Sequence, residues 1–300
     1  QVENRTQAVA AIMKAVHPHA QAAYVVGVTG PPGAGKSTIV DRLTALLRAE
    51  GETVGVVAVD PSSPFTGGAV LGDRIRMQVH TLDPGVFIRS MATRGSQGGL
   101  ARATGEVVKL MAAFGFDEIL IETVGVGQTE LDIMKTADTT VVVLVPESGD
   151  AIQTMKAGLM EAADVFAVNK ADRTGAPALM AELKFAAHLH YASSTTRKDV
   201  DWEIPVLSLE AQSDVGVAEL LAEIRRHRAA LEASGALAAR RRARLRDELE
   251  HLLVEEFRQR MARGLGAGEL KAMFDAVASG AMDPYSAAAA MMPMLSLDRS

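Results

Sequence analysis

The stretch "YVVGVTGPPGAGKSTIV", from Tyr24 to Val40, is the most informative part of the sequence about the fold. A β-branched apolar run leads into a glycine-rich turn that matches G-x-x-x-x-G-K-S/T, and a helix-forming segment follows. The glycines let successive backbone N–H groups turn toward phosphate oxygens, and the helix adds its positive amino end. Lys36 can bridge the β- and γ-phosphates, while the Ser37 hydroxyl can ligate Mg²⁺. This pattern predicts that a nucleoside triphosphate is bound by Gly30, Gly33, Ala34, Gly35, Lys36, Ser37 and Thr38.

Further apolar runs alternate with helical patterns along the chain. They are almost continuous in apolar residues, which is typical of parallel strands covered on both faces. We therefore predict an α/β fold, a P-loop NTPase with a mostly parallel central sheet flanked by helices. The predicted strands after Tyr24–Gly30 end at Asp60, Ser90, Thr123, Val145, Lys170 and Leu209.

Composition excludes several classes of protein. The 300 residues are 48% hydrophobic, enough for one large core with an appendage. Cysteine is absent, which excludes a disulfide-stapled scaffold and any thiolate metal site. A net charge of −6 gives no global basic field for nucleic acid, and we see no membrane-spanning run and no signal peptide. We expect a bacterial cytoplasmic protein that binds neither nucleic acid nor membrane.

A second motif bears on the identity of the base. Asn169-Lys170-Ala171-Asp172 follows a later strand and matches N-K-x-D. The Asp172 carboxylate can accept hydrogen bonds from guanine N1–H and the exocyclic N2 amine, and adenine lacks this pair of donors. "SLE", from Ser208 through Leu209 to Glu210, stands where a GTPase places its last base-binding loop. The combination favours GTP over ATP.

Three acidic residues are candidates for the magnesium side of the site. Asp60 and Glu122 lie at the ends of predicted strands, where α/β sheets bind ligands. Asp73, in "GDR", could instead cap a helix. Mg²⁺ takes octahedral oxygen ligands and keeps several waters, so coordination can be direct or through water. Gly125 can offer its backbone N–H to the γ-phosphate, a contact that hydrolysis removes.

The end of the chain is predicted to be helical. Leu245, Leu249, Leu252 and Met261 fall roughly on one helical stripe, and the arginine run from 240 to 246 is interpreted as a solvated helix face. The stripe requires a partner: it folds back on the GTPase domain or packs on a second subunit. We divide the chain into an N-terminal helical segment (1–23), a GTPase domain (24–232) and a helical C-terminal arm (233–300).

Several longer strings together resemble one family. "AVDPSSPFTGG", "LGDRIRM", "RGSQGGLARAT", "ILIETVGVGQTE" and "SGDAIQTMKAG" follow the P-loop in the order found in the MeaB/ArgK family. These proteins are GTPase chaperones of adenosylcobalamin-dependent acyl-CoA mutases. The resemblance covers about residues 24–231, and a helical dimerisation arm is also a feature of the family. It implies a GTP hydrolase that gates adenosylcobalamin loading, protection and rescue of an acyl-CoA mutase.

The resemblance also implies roles for individual residues. Residues 146–156 resemble an additional switch loop that senses the mutase, although Ala151 replaces a glutamate common in the family. The implied cofactor is Mg²⁺, GTP and GDP are substrate and product, and adenosylcobalamin is held by the partner. Implied partners are a second copy of the chain, the mutase and a cobalamin adenosyltransferase. The assigned residues are Ser37, Asp60, Asp73 and Glu122 for the metal, Asp150, Gln153 and Lys156 for partner sensing, and Lys36, Glu122, Gly125 and Lys156 for catalysis.

Two other functions stay open on the sequence alone. A metallocentre-maturation GTPase would share the sheet and phosphate site but would need a metal-binding cluster, and a small-molecule kinase would transfer phosphate to an acceptor. The chain has no cysteine for such a cluster. We expect five of its seven histidines, His17, His19, His80, His188 and His190, to lie at the surface.

Overall fold

The computed structural model describes residues 8–20, 23–60, 78–80, 82–92, 97–123, 125, 134–148, 160–193, 199–264 and 268–295. The strands are β1 Tyr24–Thr29, β2 Val54–Asp60, β3 Val86–Ala92, β4 Glu118–Thr123, β5 Thr139–Leu144, β6 Val165–Asn169 and β7 Val206–Leu209. The longer described helices are α1 Val9–Val16, α2 Lys36–Ala49, α3 Gln97–Phe114, α4 Ala176–Ser193, α5 Val217–Ser234, α6 Ala236–Gly264, α7 Gly268–Ala278 and α8 Pro284–Leu295.

The seven strands form one sheet in the order β3-β2-β4-β1-β5-β6-β7, and every pair is parallel. This confirms the predicted α/β fold. The strand ends agree closely with the sequence pattern. β3 continues two residues past Ser90, to Ala92, and β6 ends at Asn169 rather than Lys170. Lys170 leaves the strand because its φ is +57°, a left-handed conformation that cannot continue a ladder.

Helices cover both faces of the sheet. On one face, α2 and α5 pack their apolar residues against valines of β1, β2 and β5. On the other face, α3 packs over β2 and β4, and α4 packs over β5 and β6. Burial on both faces explains why the strands read as continuous apolar runs rather than as alternating ones.

The topology brings the loops of the site together. From β1 the chain builds β2, β3 and β4 on one side of the sheet, then crosses to the other side for β5, β6 and β7. The carboxyl end of β1 is therefore the point where the strand order reverses, which is where open α/β sheets bind their ligands.

The chain divides into two compact units, residues 1–238 and 239–300. The boundary proposed from composition, between residues 232 and 233, falls inside α5, which ends at Ser234 before Gly235 with φ +73°. The second unit consists of most of α6 together with α7 and α8. No helix in the described part of the chain combines the length and the apolar character needed to cross a bilayer.

The expectation for the histidines is wrong at one position. His80 is buried, and its Nε2 lies 3.2 Å from the Asp41 carbonyl oxygen and 3.3 Å from Asp41 Oδ1. His17, His19 and His188 are exposed as expected, and His190 is half-buried. The residues next to His80 in the sequence do not predict its burial, because the contact comes from Asp41 in α2, 39 residues away along the chain.

Candidate functional site

The glycine-rich loop between β1 and α2 has a backbone that other residues could not adopt. Gly30 has φ +147°, and a Cβ atom there would lie 2.0 Å from the Val143 carbonyl oxygen. Gly35 has φ +90°, and a Cβ atom there would lie 2.3 Å from Asn169 Nδ2. The loop therefore needs glycine for its conformation and for close approach to β5 and β6.

The predicted phosphate-binding lysine is part of this loop. Lys36 begins α2 and is buried, and its Nζ donates to the carbonyl oxygens of Gly30 (2.8 Å) and Pro31 (2.9 Å). The ammonium group therefore lies inside the curve of the loop, where it adds positive charge to the amino end of α2.

Ser37 and Glu122 meet beside the loop. β4 pairs directly with β1, with Val28 opposite Glu122, so the carboxylate reaches the first turn of α2. Ser37 Oγ donates to Glu122 Oε1 at 2.6 Å, and the Glu122 side chain is buried. A hydroxyl and a carboxylate in contact are a donor set that suits Mg²⁺.

The remaining predicted metal ligands are only partly described. Asp60 is the last residue of β2, and its backbone pairs with Ala92 of β3. It lies at the carboxyl ends of the strands, as Glu122 does. Its side chain and the whole of Asp73 lie outside the described residues. Within the described residues, no group of three or more His, Asp or Glu side chains forms a metal-binding cluster.

Asn169 connects three loops. Its side chain is buried, Nδ2 donates to the Ala34 carbonyl oxygen at 2.8 Å, and Oδ1 accepts from the Ala211 N–H at 3.1 Å. The P-loop and the segment after β7 are thereby held against the end of β6. This explains a buried amide at a strand end, since both its donor group and its acceptor oxygen are hydrogen-bonded to backbone groups.

The rest of the predicted guanine motif contacts the P-loop and the end of β7. Lys170 Nζ donates to the Gly33 carbonyl oxygen at 2.9 Å, and the Ala171 N–H donates to the Leu209 carbonyl oxygen at 3.0 Å. Asp172 is exposed and follows directly. Ser208 is exposed, Leu209 is buried and Glu210 is half-buried. The two predicted base-binding segments therefore lie side by side.

An ion pair extends this site toward the predicted switch loop. The Arg173 guanidinium contacts Glu147 Oε1 and holds the pKa of that carboxyl below its usual range. Glu147 belongs to a short 3-10 turn, Pro146–Ser148, after β5. Both side chains are about half exposed, so the pair contributes little to stability. The three partner-sensing residues, Asp150, Gln153 and Lys156, lie outside the described residues.

Gly125 is anchored by threonine hydroxyls. Thr29 Oγ1 donates to the Gly125 carbonyl oxygen at 2.7 Å, and Thr123 Oγ1 contacts the same oxygen at 3.2 Å. Sequence reasoning selected Gly125 but missed Thr29 and Thr123. A threonine at the carboxyl end of each of two adjacent strands was the available signal.

Comparison with known proteins places the chain in a family. The model of the family described as "Methylmalonyl Co-A mutase-associated GTPase MeaB" matches residues 1–265. The chain belongs to the MeaB family. It is a GTPase, as the resemblance of its motifs implied.

Two relatives and one solved structure illustrate the range of similarity of this MeaB-family GTPase. A putative GTPase of Pyrococcus abyssi is 50% identical over 96% of this chain and 88% of its own length. The mouse methylmalonic aciduria type A homolog, which is mitochondrial, is 35% identical over 88% of this chain and 64% of its own length. A crystal structure described as an LAO/AO transport system kinase is 27% identical, with a TM-score of 0.60 over 95% of this chain and 86% of that one.

The geometry of the MeaB-family GTPase thus brings most predicted residues to one edge of the sheet. The P-loop, Glu122, Gly125, the guanine motif and the segment from Ser208 to Glu210 all lie at the carboxyl ends of β1, β4, β6 and β7.

Proposed function

We propose that this GTPase is a chaperone whose hydrolysis of GTP gates adenosylcobalamin loading, protection and rescue of an acyl-CoA mutase of the methylmalonyl-CoA mutase type. The observation that carries the proposal is the match of residues 1–265 to a family described as mutase-associated. The output of such a protein is a change of shape, so the site must connect the nucleotide to loops that a partner can contact.

We assign the phosphates to the P-loop and the base to the two segments beside it. Residues Gly30 to Thr38 form the phosphate cradle, and the Lys36 ammonium lies within it. Asp172 would accept from guanine N1–H and N2, and its exposed position at the turn after β6 leaves its carboxylate accessible. Asn169 supports this site by tying the P-loop to the segment that follows Ser208–Glu210.

Ser37 and Glu122 fit Mg²⁺, with Asp60 and Asp73 completing the shell directly or through water. The support is the 2.6 Å contact between the Ser37 hydroxyl and the buried Glu122 carboxylate at the start of α2. When bound, Mg²⁺ neutralises charge on the β- and γ-phosphate oxygens. The Glu122 carboxylate orients the Ser37 hydroxyl, Lys36 adds charge on the phosphates, and the Gly125 N–H is assigned to the γ-phosphate.

The partner side of the proposal concerns the segment after β5. Residues 146–156 would sense the mutase through Asp150, Gln153 and Lys156, with Lys156 also contributing to catalysis. The Glu147–Arg173 ion pair supports this assignment, because it joins the start of that segment to the residue after Asp172. Adenosylcobalamin would be held by the mutase, a cobalamin adenosyltransferase is a further proposed partner, and the chain is proposed to act as a homodimer.

A binding experiment tests the proposal. The purified chain is mixed with an adenosylcobalamin-dependent acyl-CoA mutase and with GDP or a non-hydrolysable GTP analogue, and complexes are separated by gel filtration. We expect a complex whose amount depends on the nucleotide, and we expect Lys36→Ala to lose that dependence because it no longer holds the phosphates. Phosphate release from GTP without any acceptor separates a hydrolase from a kinase. Absence of a complex with every mutase and nucleotide would contradict the chaperone role.

A further inference from the structure

Two buried hydroxyl groups are hydrogen-bonded to one carbonyl oxygen. Thr29 Oγ1 donates to Gly125 O at 2.7 Å, while Thr123 Oγ1 lies 2.9 Å from Thr29 Oγ1 and 3.2 Å from Gly125 O. Each hydroxyl has a single proton to donate. Thr29 therefore gives its proton to Gly125, and Thr123 divides its proton between Thr29 and Gly125. The three groups form a closed hydrogen-bonded cluster.

The cluster is attached to two adjacent strands in the middle of the sheet. Thr29 is the last residue of β1 and directly precedes Gly30 of the P-loop, and Thr123 is the last residue of β4 and directly follows Glu122. β1 and β4 are adjacent in the middle of the sheet, in a register that places Thr29 beside Thr123. Gly125 is thereby held at a fixed position relative to the phosphate-binding loop.

Packing alone does not explain threonine at these two positions. Both side chains are fully buried, and valine is frequent in β1 and in the nearby strands β2 and β5. Valine has almost the same shape as threonine and would avoid the cost of burying a hydroxyl. That cost is offset here by the hydrogen bonds to Gly125, so the hydroxyls act on this glycine.

We propose that Thr29 and Thr123 are positioning residues that hold Gly125 ready to donate its N–H to the γ-phosphate, and that they thereby set the preference for GTP over GDP. This inference rests on the role assigned to Gly125 under the proposed function. The two hydroxyls fix the position of the Gly125 carbonyl oxygen, which limits where the rest of this residue, including its N–H, can lie. GDP has no γ-phosphate, so its affinity does not depend on the anchor.

The test compares isosteric removal of each hydroxyl with its retention. Thr29→Val and Thr123→Val remove the hydroxyl and keep the shape, whereas Thr29→Ser and Thr123→Ser keep the hydroxyl and lose a methyl group. Thr44→Val is the matched control, because Thr44 is also fully buried but donates to the Val40 carbonyl oxygen within α2. Affinities for fluorescent GDP and for a non-hydrolysable fluorescent GTP analogue are measured for each variant, together with KM and kcat for GTP.

We expect the valine variants to lose affinity for the GTP analogue by about two- to tenfold, as for the loss of one hydrogen bond, with GDP affinity unchanged and KM for GTP raised. The serine variants and Thr44→Val should keep the wild-type ratio of the two affinities. If the valine variants lose affinity for both nucleotides equally, the threonines are structural and the inference is wrong. Should Thr29→Val not fold, Thr123→Val provides the test, since its hydroxyl contacts both other members of the cluster.

Gly125→Pro separates failure of this inference from failure of the proposed role of Gly125, because proline has no backbone N–H to donate. If Gly125→Pro loses the preference for the GTP analogue while the valine variants keep it, only the threonine inference is overturned. If Gly125→Pro also keeps the preference, the N–H of residue 125 does not contact the γ-phosphate, and both the assigned role and the inference built on it fail.

Discussion

At the residue scale, we propose that the choice of base depends on one exposed carboxylate, that of Asp172. Asp172 stands at a turn that is positioned by the buried Asn169 and by Lys170 in its left-handed conformation. A carboxylate accepts from two guanine donors at once, and this charge-assisted pairing is what adenine cannot offer. Base recognition can therefore be changed without disturbing the P-loop.

We predict that Asp172→Asn weakens GTP binding by at least about tenfold and shifts preference to xanthosine triphosphate, whose C2 oxo group needs a donor. Because the Asp172 side chain is exposed, we do not expect the substitution to unfold the protein, so a change in base preference would reflect base recognition. Competition titrations with GTP and XTP measure it, with Asp201→Asn as a control at another exposed aspartate. Retention of the wild-type preference for GTP would rule out Asp172 as the base-reading residue.

A second residue-scale prediction concerns Glu122. Glu122→Gln keeps the shape and can still accept a hydrogen bond from Ser37, but it removes the negative charge beside the proposed metal. We expect kcat to fall by about 10²- to 10³-fold, because charge stabilisation matters most when the γ-phosphate is transferred. GDP affinity should change by less than about threefold, since one hydrogen bond is kept. The turnover of Glu122→Gln, measured across a Mg²⁺ titration, checks this. Normal turnover of this variant at low Mg²⁺ would contradict a role of Glu122 in metal binding.

At the element scale, β4 carries a buried acid at each end. Glu122 lies at the carboxyl end, in the site, and Glu118 lies at the amino end, against α5. Burial raises the pKa of Glu118 to about 8, although the Arg228 guanidinium, 2.9 Å away, opposes the shift. The folded protein therefore binds this proton more tightly than the unfolded chain, whose glutamates have an ordinary pKa of 4.5.

The contribution of Glu118 to stability is therefore fully present below about pH 4.5 and is lost as the pH rises through about 8. We predict that Glu118→Gln, which cannot ionise, raises Tm at pH 8.5 by about 3 °C or more relative to the unmodified protein. The difference should shrink at pH 5, where the carboxyl is protonated in the folded state. Thermal melts at the two pH values measure this, with the exposed Glu219→Gln as the control. An equal Tm difference at both pH values would show that Glu118 does not titrate in this range.

An element could be predicted from the sequence when the residues that determine it are close together along the chain. β1, the P-loop and α2 were predictable because a continuous apolar run, required glycines and a helix start lie within 17 consecutive residues. The hydrogen bond from Thr29 to Gly125 was not predictable, because the two residues are 96 positions apart and meet only through the pairing of β1 with β4. The burial of His80 against α2 was missed for the same reason.

At the scale of the whole molecule, the C-terminal helices expose large apolar side chains that nothing else in their own unit covers in the described residues. In the second compact unit, Leu249 and Leu253 of α6 are 56% and 61% exposed, and Tyr285 of α8 is 88% exposed. Apolar side chains of this size at helical spacing are normally covered by other protein. This is consistent with the proposed dimerisation arm at residues 233–300.

We predict a homodimer in solution at micromolar concentration, built through these helices. Light scattering coupled to gel filtration should give about twice the mass of one chain. Leu249→Glu should shift the protein toward monomer, because it introduces a charge into the apolar stripe, whereas Glu250→Gln at the neighbouring exposed position should not. A monomer for the unmodified protein at these concentrations would reject the dimerisation arm.

Control of hydrolysis by a mutase is tested by the GTP turnover number of the protein, measured with and without an adenosylcobalamin-dependent acyl-CoA mutase. We predict slow turnover alone and stimulation that can reach about 10³-fold when the partner completes the charge shell around the phosphates. Asp150→Ala and Gln153→Ala should keep the basal rate and lose the stimulation. A turnover number that the mutase leaves unchanged would contradict the account, and so would variants whose basal and stimulated rates fall by the same factor.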